Sequence, residues 1–503
     1  MTTRNTRPVP RVIWWPRDGG PREDLSPWTV RISAVESLMP PGACSITLAA
    51  DALRLDKLSL LARRLRLQGL VSIGVDRDGG IMLGLVDAVT QKVVRSGQQL
   101  SYALAIHVSH IVGKALLRDN VLLSLLEEEA AQPFFDHVEK VIGRDHPVLA
   151  SLRSSLGPTA GANDNEADKG VALFAGKTVD EVVTWAVNKI PTMVFPMLAH
   201  AAGGSGKIGE YLDTTRSITT WNDQRIYSEE PANFNGNLLG FLRTIVEPDF
   251  YEIWTSTIPN GTELPTVTLV IRPKPFDDPA AEFAPVVEEP GIRWQDLRTL
   301  VDDLPHHEIP GDLIHEMSAD MSDADAYGFY CVSSAHELMG NDQQAAEGLR
   351  FPLLDTYTLT VFGSQAMEPR LQLLSPSWEE KVAGTVDYAD EIPSAAREFR
   401  NRLFNWYRLN PFFQSGVVTV DGNDNYRPGD KLWFPDHWHP YSQEPGMYAY
   451  CTSVQWEWTL GGGYTSTLRY ERGHNASVID TANAEIAKDA DSYGVDATHY
   501  ASS

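Results

Sequence analysis

The chain has 503 residues, and at roughly 150 residues per domain that length suggests three or four domains. Its 43% hydrophobic and 22% charged residues are those of a folded protein, so disorder should be local. Against 67 Asp and Glu stand only 42 Lys and Arg, a net charge of −25 that argues against a protein gripping nucleic acid by phosphate neutralisation, though not against one that DNA slides past.

The N-terminal stretch MTTRNTRPVPRVIWWPRDGG is rich in Pro and Arg and reads as an arm, residues 1–25. It has no apolar core of a signal peptide, and no later segment approaches the roughly 20 apolar residues of a membrane helix. No membrane-spanning segment and synthesis in the cytoplasm are therefore expected. The three cysteines, Cys44, Cys331 and Cys451, lie far apart and outside any CxxC spacing, so neither a disulfide framework nor a zinc site is encoded.

Residues 26–110 read mostly as short strands, WTVRISAV, ACSITLAA, GLVSIGVDRDGGIMLGLVDAV and QLSYALAIHVS, interrupted by helical spacing around Leu58 to Leu67. Turns at Pro40-Pro41-Gly42 and Asp78-Gly79-Gly80 make this a small β-barrel. Residues 111–234 change to helical spacing from Ile111 to Arg144 and again from about Asp180 to His200, with a Gly-, Asn- and Asp-rich flexible loop at 154–170 between them. Residues 235–345 suggest a helix, then two strands around the Asn260-Gly261 turn, then an acidic, proline-rich connection at 279–310 and extended chain from about Ile314 to Val332. Residues 346–475 hold a helical stretch ending in RNRLFNWYRL, and then strands.

The last strands include the run MYAYCTSVQWEWTL, the turn Gly461-Gly462-Gly463 and the return strand YTSTLRYERG. Tyr450, Thr452, Val454, Trp456 and Trp458 fall on one parity, Cys451, Ser453, Gln455 and Glu457 on the other, as in a half-buried hairpin. Residues 476–503 are small, polar and acidic, and read as a flexible tail. There is also an internal echo: GGIMLGLVDAV followed by SYALAIHVS matches GMYAYCTSVQW followed by YTSTLRYERG in the placement of a leading glycine and two alternating strands.

Residues that could carry chemistry are few. The stretch His200 to Gly209, HAAGGSGKIG, looks like part of a phosphate loop, but Ile208 stands where a magnesium ligand is needed, and a flexible loop accounts for it better. Ser205 lacks the second glycine of a hydrolase elbow, because Lys207 occupies it. Asp436, His437 and His439, or His306, His307 and Glu308, could in principle hold a metal, yet neither set has helical i, i+4 spacing, and surface or interface histidines explain them better. Carboxylates are abundant and no pair is selected as a glycosidase dyad. No catalytic, cofactor or metal residue is expected.

The C-terminal block, SGVVTVDGNDNYRPGDKLWF followed by GMYAYCTSVQWEWTLGGGYTSTLRYERG, resembles the second tube barrel of the baseplate hub proteins of contractile-tailed phages, a family shared with the N-terminal part of type VI secretion spike proteins. The order shared is a small-residue strand, an R-P-G-D turn at Arg427 to Asp430, a Y-x-Y-x-x-S-V strand at Tyr448 to Val454, and a threonine-rich strand closing at Arg472-Gly473. WTVRISAVESLMPPGACSITLAA and GIMLGLVDAV look like the family's first barrel, HVSHIVGKALLRDN like the start of its next domain, and TLVIRPKPFDD with MSDADAYGFYCV like its central region.

The resemblance implies an α+β multidomain fold with two similar small antiparallel β-barrels (tube domains) and mixed α/β domains inserted between them. It implies a non-enzymatic virion protein of the tail baseplate: a homotrimer whose duplicated barrels join a hexameric tail tube to a trimeric spike and line the genome-ejection channel. Its partners would be tail tube or tail terminal proteins, the spike and baseplate wedge proteins, with DNA passing without specific binding. The alternatives are a tail-associated peptidoglycan-degrading glycosidase, or a secretion-system spike component.

Overall fold

The computed structural model describes residues 8–493, apart from 39–41, 51–54, 76–78, 97–98, 119, 123–135, 142, 144–178, 189, 191–194, 203–205, 214–234, 277–303, 335–352 and 372–393. The loop read at 154–170 and residues 279–303 of the acidic connection therefore lie outside the described residues, as does Ser205.

The first seven strands are β1 (Pro10–Trp15), β2 (Glu23–Asp24), β3 (Thr29–Ser37), β4 (Ala43–Ala50), β5 (Leu70–Val75), β6 (Met82–Ser96) and β7 (Gln99–His110). They pair antiparallel in the order β3-β4-β7-β6-β5-β1-β2. The sheet curls back on itself: β2 runs through the turn Ser26–Trp28 into β3, and the Leu25 amide donates to the Val12 carbonyl at 2.8 Å. Alternate residues Ile32, Ala34, Ile46, Leu104, Ile106 and Val108 fill its interior, with Leu58 and Leu61 of the helix Leu55–Arg64 packed into the same core.

A central module follows. Strand β8 (Asn120–Leu122) pairs with β10 (Asn235–Asn237), and β9 (Leu212–Asp213) lies beside the hairpin of β11 (Tyr251–Ile258) and β12 (Thr266–Pro273). The helix Leu238–Ile245 is capped by Asn237, whose Oδ1 accepts from the Gly240 amide at 2.7 Å. It packs with the helices Ile111–Arg118 and Val179–Val187 in a second core, which also takes Ile13, Trp15, Leu70, Leu83 and Leu85 from the outer face of the first barrel. The module thus sits against that barrel side rather than beyond it.

The second barrel uses β13 (His306–Glu308), β14 (Ile314–Asp320), β20 (Gln414–Asp421), β21 (Lys431–Phe434), β22 (Met447–Thr459) and β23 (Gly463–His474). Between β14 and β20 the described residues form five two-residue strands, β15 (Phe329–Tyr330), β16 (Ser333–Ser334), β17 (Leu353–Leu354), β18 (Ala366–Met367) and β19 (Arg370–Leu371), and the helices Thr356–Val361 and Ser394–Tyr407. The order is β14-β20-β23-β22-β21-β13, and β13 returns through the turn Gly311–Leu313 into β14, closing this curl as β2 closes the first. Antiparallel pairing of β22 with β3 fuses both barrels into one 13-stranded sheet.

The two barrels are copies in topology and register. In each, five strands in chain order pair as first, second, fifth, fourth, third. Rung for rung, Ile32–Ile46–Ile106–Val89 across β3, β4, β7 and β6 corresponds to Met317–Val418–Leu468–Val454 across β14, β20, β23 and β22. Leu70 to Ile73 face Leu85 to Met82 as Lys431 to Phe434 face Tyr450 to Met447. Irregularities coincide as well: the shift between Thr29 and Arg31 corresponds to that between Ile314 and Glu316, and the one between Val86 and Ala88 to that between Cys451 and Ser453. The sequence echo therefore marks the same hairpin of two barrels.

Four expectations need correction. The N-terminal arm contains β1, because Val12 and Trp14 alternate into the barrel core with Ile13 and Trp15 into the other. The end of the acidic connection forms β13, which pairs parallel with β21. The tail begins as a helix, Ala476–Tyr493, whose Val478, Ala482 and Ile486 bury against Leu409, Phe412 and Phe413. Finally, the parity of β22 breaks at the irregularity next to Cys451. Cys451 joins Val454, Trp456 and Trp458 in the barrel core, and Tyr450 faces the central module instead, as a one-residue bulge requires.

Candidate channel face and barrel junction

Period-two alternation leaves each barrel strand with a second face. On β3 and β4 it carries Arg31, Ser33, Val35, Ser45 and Thr47, and on β7 Ala103, Ala105 and His107. On β22 and β23 it carries Gln455, Glu457, Thr465, Thr467 and Arg469, and on β20 and β14 Val417, Thr419, Asp421, Glu316, Ser318 and Asp320. Thr419 and Thr467 hydroxyls meet at 3.2 Å, and Arg31 pairs with Glu457 across the β3–β22 seam. This is one broad surface of short, hydroxylated side chains with mixed charges and no Phe, Tyr or Trp among the positions named.

At the end of the seam, three parts of the chain converge on the R-P-G-D turn. Arg427 Nη2 donates to the carbonyls of Gly80 at 2.7 Å, in the first barrel, and of Thr257 at 2.9 Å, in the central module. Its Nη1 donates to Asp424 and Tyr426 at 2.8 and 2.7 Å. The guanidinium lies 5.3 Å from the Trp456 ring centre. Glu36 of β3 sits 4.0 Å from Arg427 Nε, takes a hydrogen bond from Ser256 Oγ at 3.2 Å, and has a second oxygen without a partner. Burial pushes its carboxyl up to about 7 against the opposing pull of Arg427. Beside it, burial lowers His110 to about 4, leaving a neutral ring that meets Thr257 Oγ1 at 3.1 Å.

Gly429 of the turn has φ +88°, and a Cβ there would lie 2.7 Å from Arg272 Nη2. The close approach lets Arg272 donate to the Gly429 carbonyl at 3.0 Å and to the Tyr450 hydroxyl at 2.9 Å, while Tyr450 donates to Glu252 at 2.6 Å. The central module is thus tied to the second barrel by a buried polar cluster. Its acids Glu252 and Tyr450 are both pushed up by burial.

The histidine stretches are structural neighbours but not a metal centre. His307 Nε2 meets Asp430 at 2.8 Å, His437 meets Gln414 at 2.7 Å, and Asp436 accepts from the Gly311 amide at 2.9 Å. His439 is buried with its titration lowered to about 4 by desolvation and by His437. Among the described residues no three His, Cys, Asp or Glu side chains gather as a metal site. Of the glycine stretch, Ile208 is fully buried in the central core. The three cysteines are buried and unpaired. Among the described residues, no helix is long and apolar enough to cross a membrane.

Sequence reasoning found the R-P-G-D turn only as a motif. The contacts of Arg427 with Gly80 and Thr257 span most of the chain, so no local signal announces them.

No protein-family model matches the chain, and no curated protein matches it in sequence. Solved structures do. A tail protein from Neisseria meningitidis MC58 is 11% identical, with 95% of this chain and 99% of that one covered and a TM-score of 0.45. The 43 kDa tail protein of prophage MuSo2 from Shewanella oneidensis is 8% identical, with 93% and 99% covered and a TM-score of 0.44. A component of the type VI secretion system of E. coli, described as structurally similar to the T4 bacteriophage tail proteins gp27 and gp5, is 9% identical, with 89% and 74% covered and a TM-score of 0.35.

Proposed function

We propose that the chain is a structural protein of a phage tail, the baseplate hub, and that it acts by assembly rather than catalysis. Three chains form a ring of six similar barrels, presenting six near-equivalent edges to a hexameric tail tube on one side and threefold symmetry to a trimeric spike on the other. Wedge proteins surround the ring, and DNA crosses it during ejection. The observation that carries this reading is the duplication of the barrel, register and bulges included, within one chain.

The face, rich in short Ser, Thr and Ala side chains, suits a channel wall, because it offers few cations for phosphate and, His107 apart, no ring among the positions named on which a base could stack. Cryo-electron microscopy of the purified protein, or of a tail tip containing it, tests the proposal. Three chains around an open channel lined by that face are expected. A compact monomer that clears peptidoglycan in a zymogram would overturn it in favour of a glycosidase.

A further inference from the structure

The seam between the barrels uses only half of what the duplication offers. It joins the outer edge of β3, the first strand of barrel one, to the far half of β22, the fourth strand of barrel two. By the register equivalence, β14 is the copy of β3 and β6 is the copy of β22. Strand β14 ends the sheet with one edge unpaired by any described strand. Strand β6 is paired on one side by β7 from Gly84 onward, but on the other, among the described residues, only by β5, at Met82 to Leu85, which leaves its far half without a described partner. Strand β22 fills the corresponding side with β21 at Met447 to Tyr450 and then with β3 from Ser453 onward. An open strand edge invites pairing unless something covers it.

We infer that β14 of one chain pairs antiparallel with the far half of β6 of a second copy, in the register that β3 and β22 already use. This deepens the ring reading and rests on it only for closure, since a head-to-tail contact of this kind yields a ring or an open filament according to its rotation. Transferring the pair Glu457–Ser33 places Lys92 opposite Ser318 of the neighbour; transferring Gln455–Val35 places Thr90 opposite Asp320. The charges agree. Across the internal seam Arg31, on the first-strand side, pairs diagonally with Glu457, on the fourth-strand side. At the equivalent positions of the proposed contact stand Glu316 and Lys92, the same pair with its signs exchanged. Both are exposed in the single chain. The reversal also disfavours a barrel pairing with the wrong partner edge, since Arg31 would then meet Lys92, and Glu457 would meet Glu316.

The test uses the full chain. Lys92→Cys and Ser318→Cys are introduced together, the three native thiols being buried, and the protein is treated with a short bis-maleimide. A covalent species of three chains is expected and supports both pairing and ring; an unending ladder supports the pairing and overturns the closed ring. Association without cross-linking overturns the pairing and leaves the ring standing, and a chain that remains monomeric at every concentration overturns both. In parallel, K92E and E316K should each weaken association by roughly two- to fivefold per contact, the range of a cross-strand charge pair, and the double exchange should restore it. Failure of the double exchange to restore what each single change lost would also count against the register.

Discussion

At the residue scale, Arg427 and Glu36 make opposite contributions. Arg427 satisfies four carbonyls contributed by both barrels and the central module. Arg427→Met keeps much of the volume over Trp456 but strands those acceptors and Glu36, so a loss on the order of 3–5 kcal/mol is expected in denaturant unfolding. A loss under about 1 kcal/mol would mean that water replaces the guanidinium. Glu36 behaves differently because its titration is raised by burial, from 4.5 to about 7. The folded state then holds a proton that the unfolded state has released, so this group's stabilisation is complete below about pH 4.5 and is lost as pH rises to about 7. Glu36→Gln should therefore flatten that decline and stabilise the protein at pH 8 by a few kcal/mol at most. A variant whose stability falls with pH as steeply as the parent would show that Glu36 is not the group responsible. Neither role was legible in the sequence. Glu36 looked like one more acid among 67 Asp and Glu, and what distinguishes it is a seam formed with residues some 400 positions away.

At the element scale, legibility depended on how wide a stripe each segment shows. The helices Leu238–Ile245 and Ser394–Tyr407, the β11–β12 hairpin and the two barrel hairpins carry strong local patterns, and the sequence reading placed them. The helix Ala476–Tyr493 was missed because, among its described side chains, the buried face is Val478, Ala482 and Ile486, a narrow i, i+4, i+8 stripe in an otherwise small and polar segment. That spacing was available as a signal, but the acidic composition around it argued for a tail. Its start is fixed by Asn475, which accepts from the Val478 amide at 3.0 Å and donates to the Gly446 carbonyl at 2.7 Å. Asn475→Ala should cost about 1–2 kcal/mol and raise amide exchange first in this helix, since it removes a cap and leaves a buried carbonyl unpaired. Uniform exchange across the chain would instead place the helix in one cooperative unit with the barrels. The bulge in β22 is a different kind of miss. Alternation predicts faces only until an extra residue intervenes, and nothing about Cys451-Thr452 itself announces one.

At the scale of the whole molecule, the echo between the two hairpins was weak as sequence, because barrel interiors accept any apolar residue that fits. Ile106 corresponds to Leu468 and Val86 to Cys451, so backbone registration survives where identity does not. The net charge of −25 was a poor guide to the proposed channel face. That face carries Arg31, Arg469 and, opposite Ala103 on β6, Lys92 against Glu457, Asp421, Glu316 and Asp320, close to balance, while much of the acidity lies elsewhere. Weak DNA affinity should then come from the scarcity of cations and rings rather than from bulk repulsion. Fluorescence anisotropy with a short duplex should show no saturable binding at 150 mM salt. The triple change Ser45→Lys, Thr467→Lys and Gln455→Lys, on strands β4, β23 and β22, should create binding whose logarithmic salt slope steepens by about 0.9 for each lysine reaching a phosphate. The same three lysines placed at exposed positions of the helix Ala476–Tyr493 should add less, because there they do not converge on one wall. Equal gains at both places would mean that any surface cation suffices and that the face has no special relation to DNA. Tight, steeply salt-dependent binding by the unaltered chain would remove the argument for a non-adhesive wall altogether.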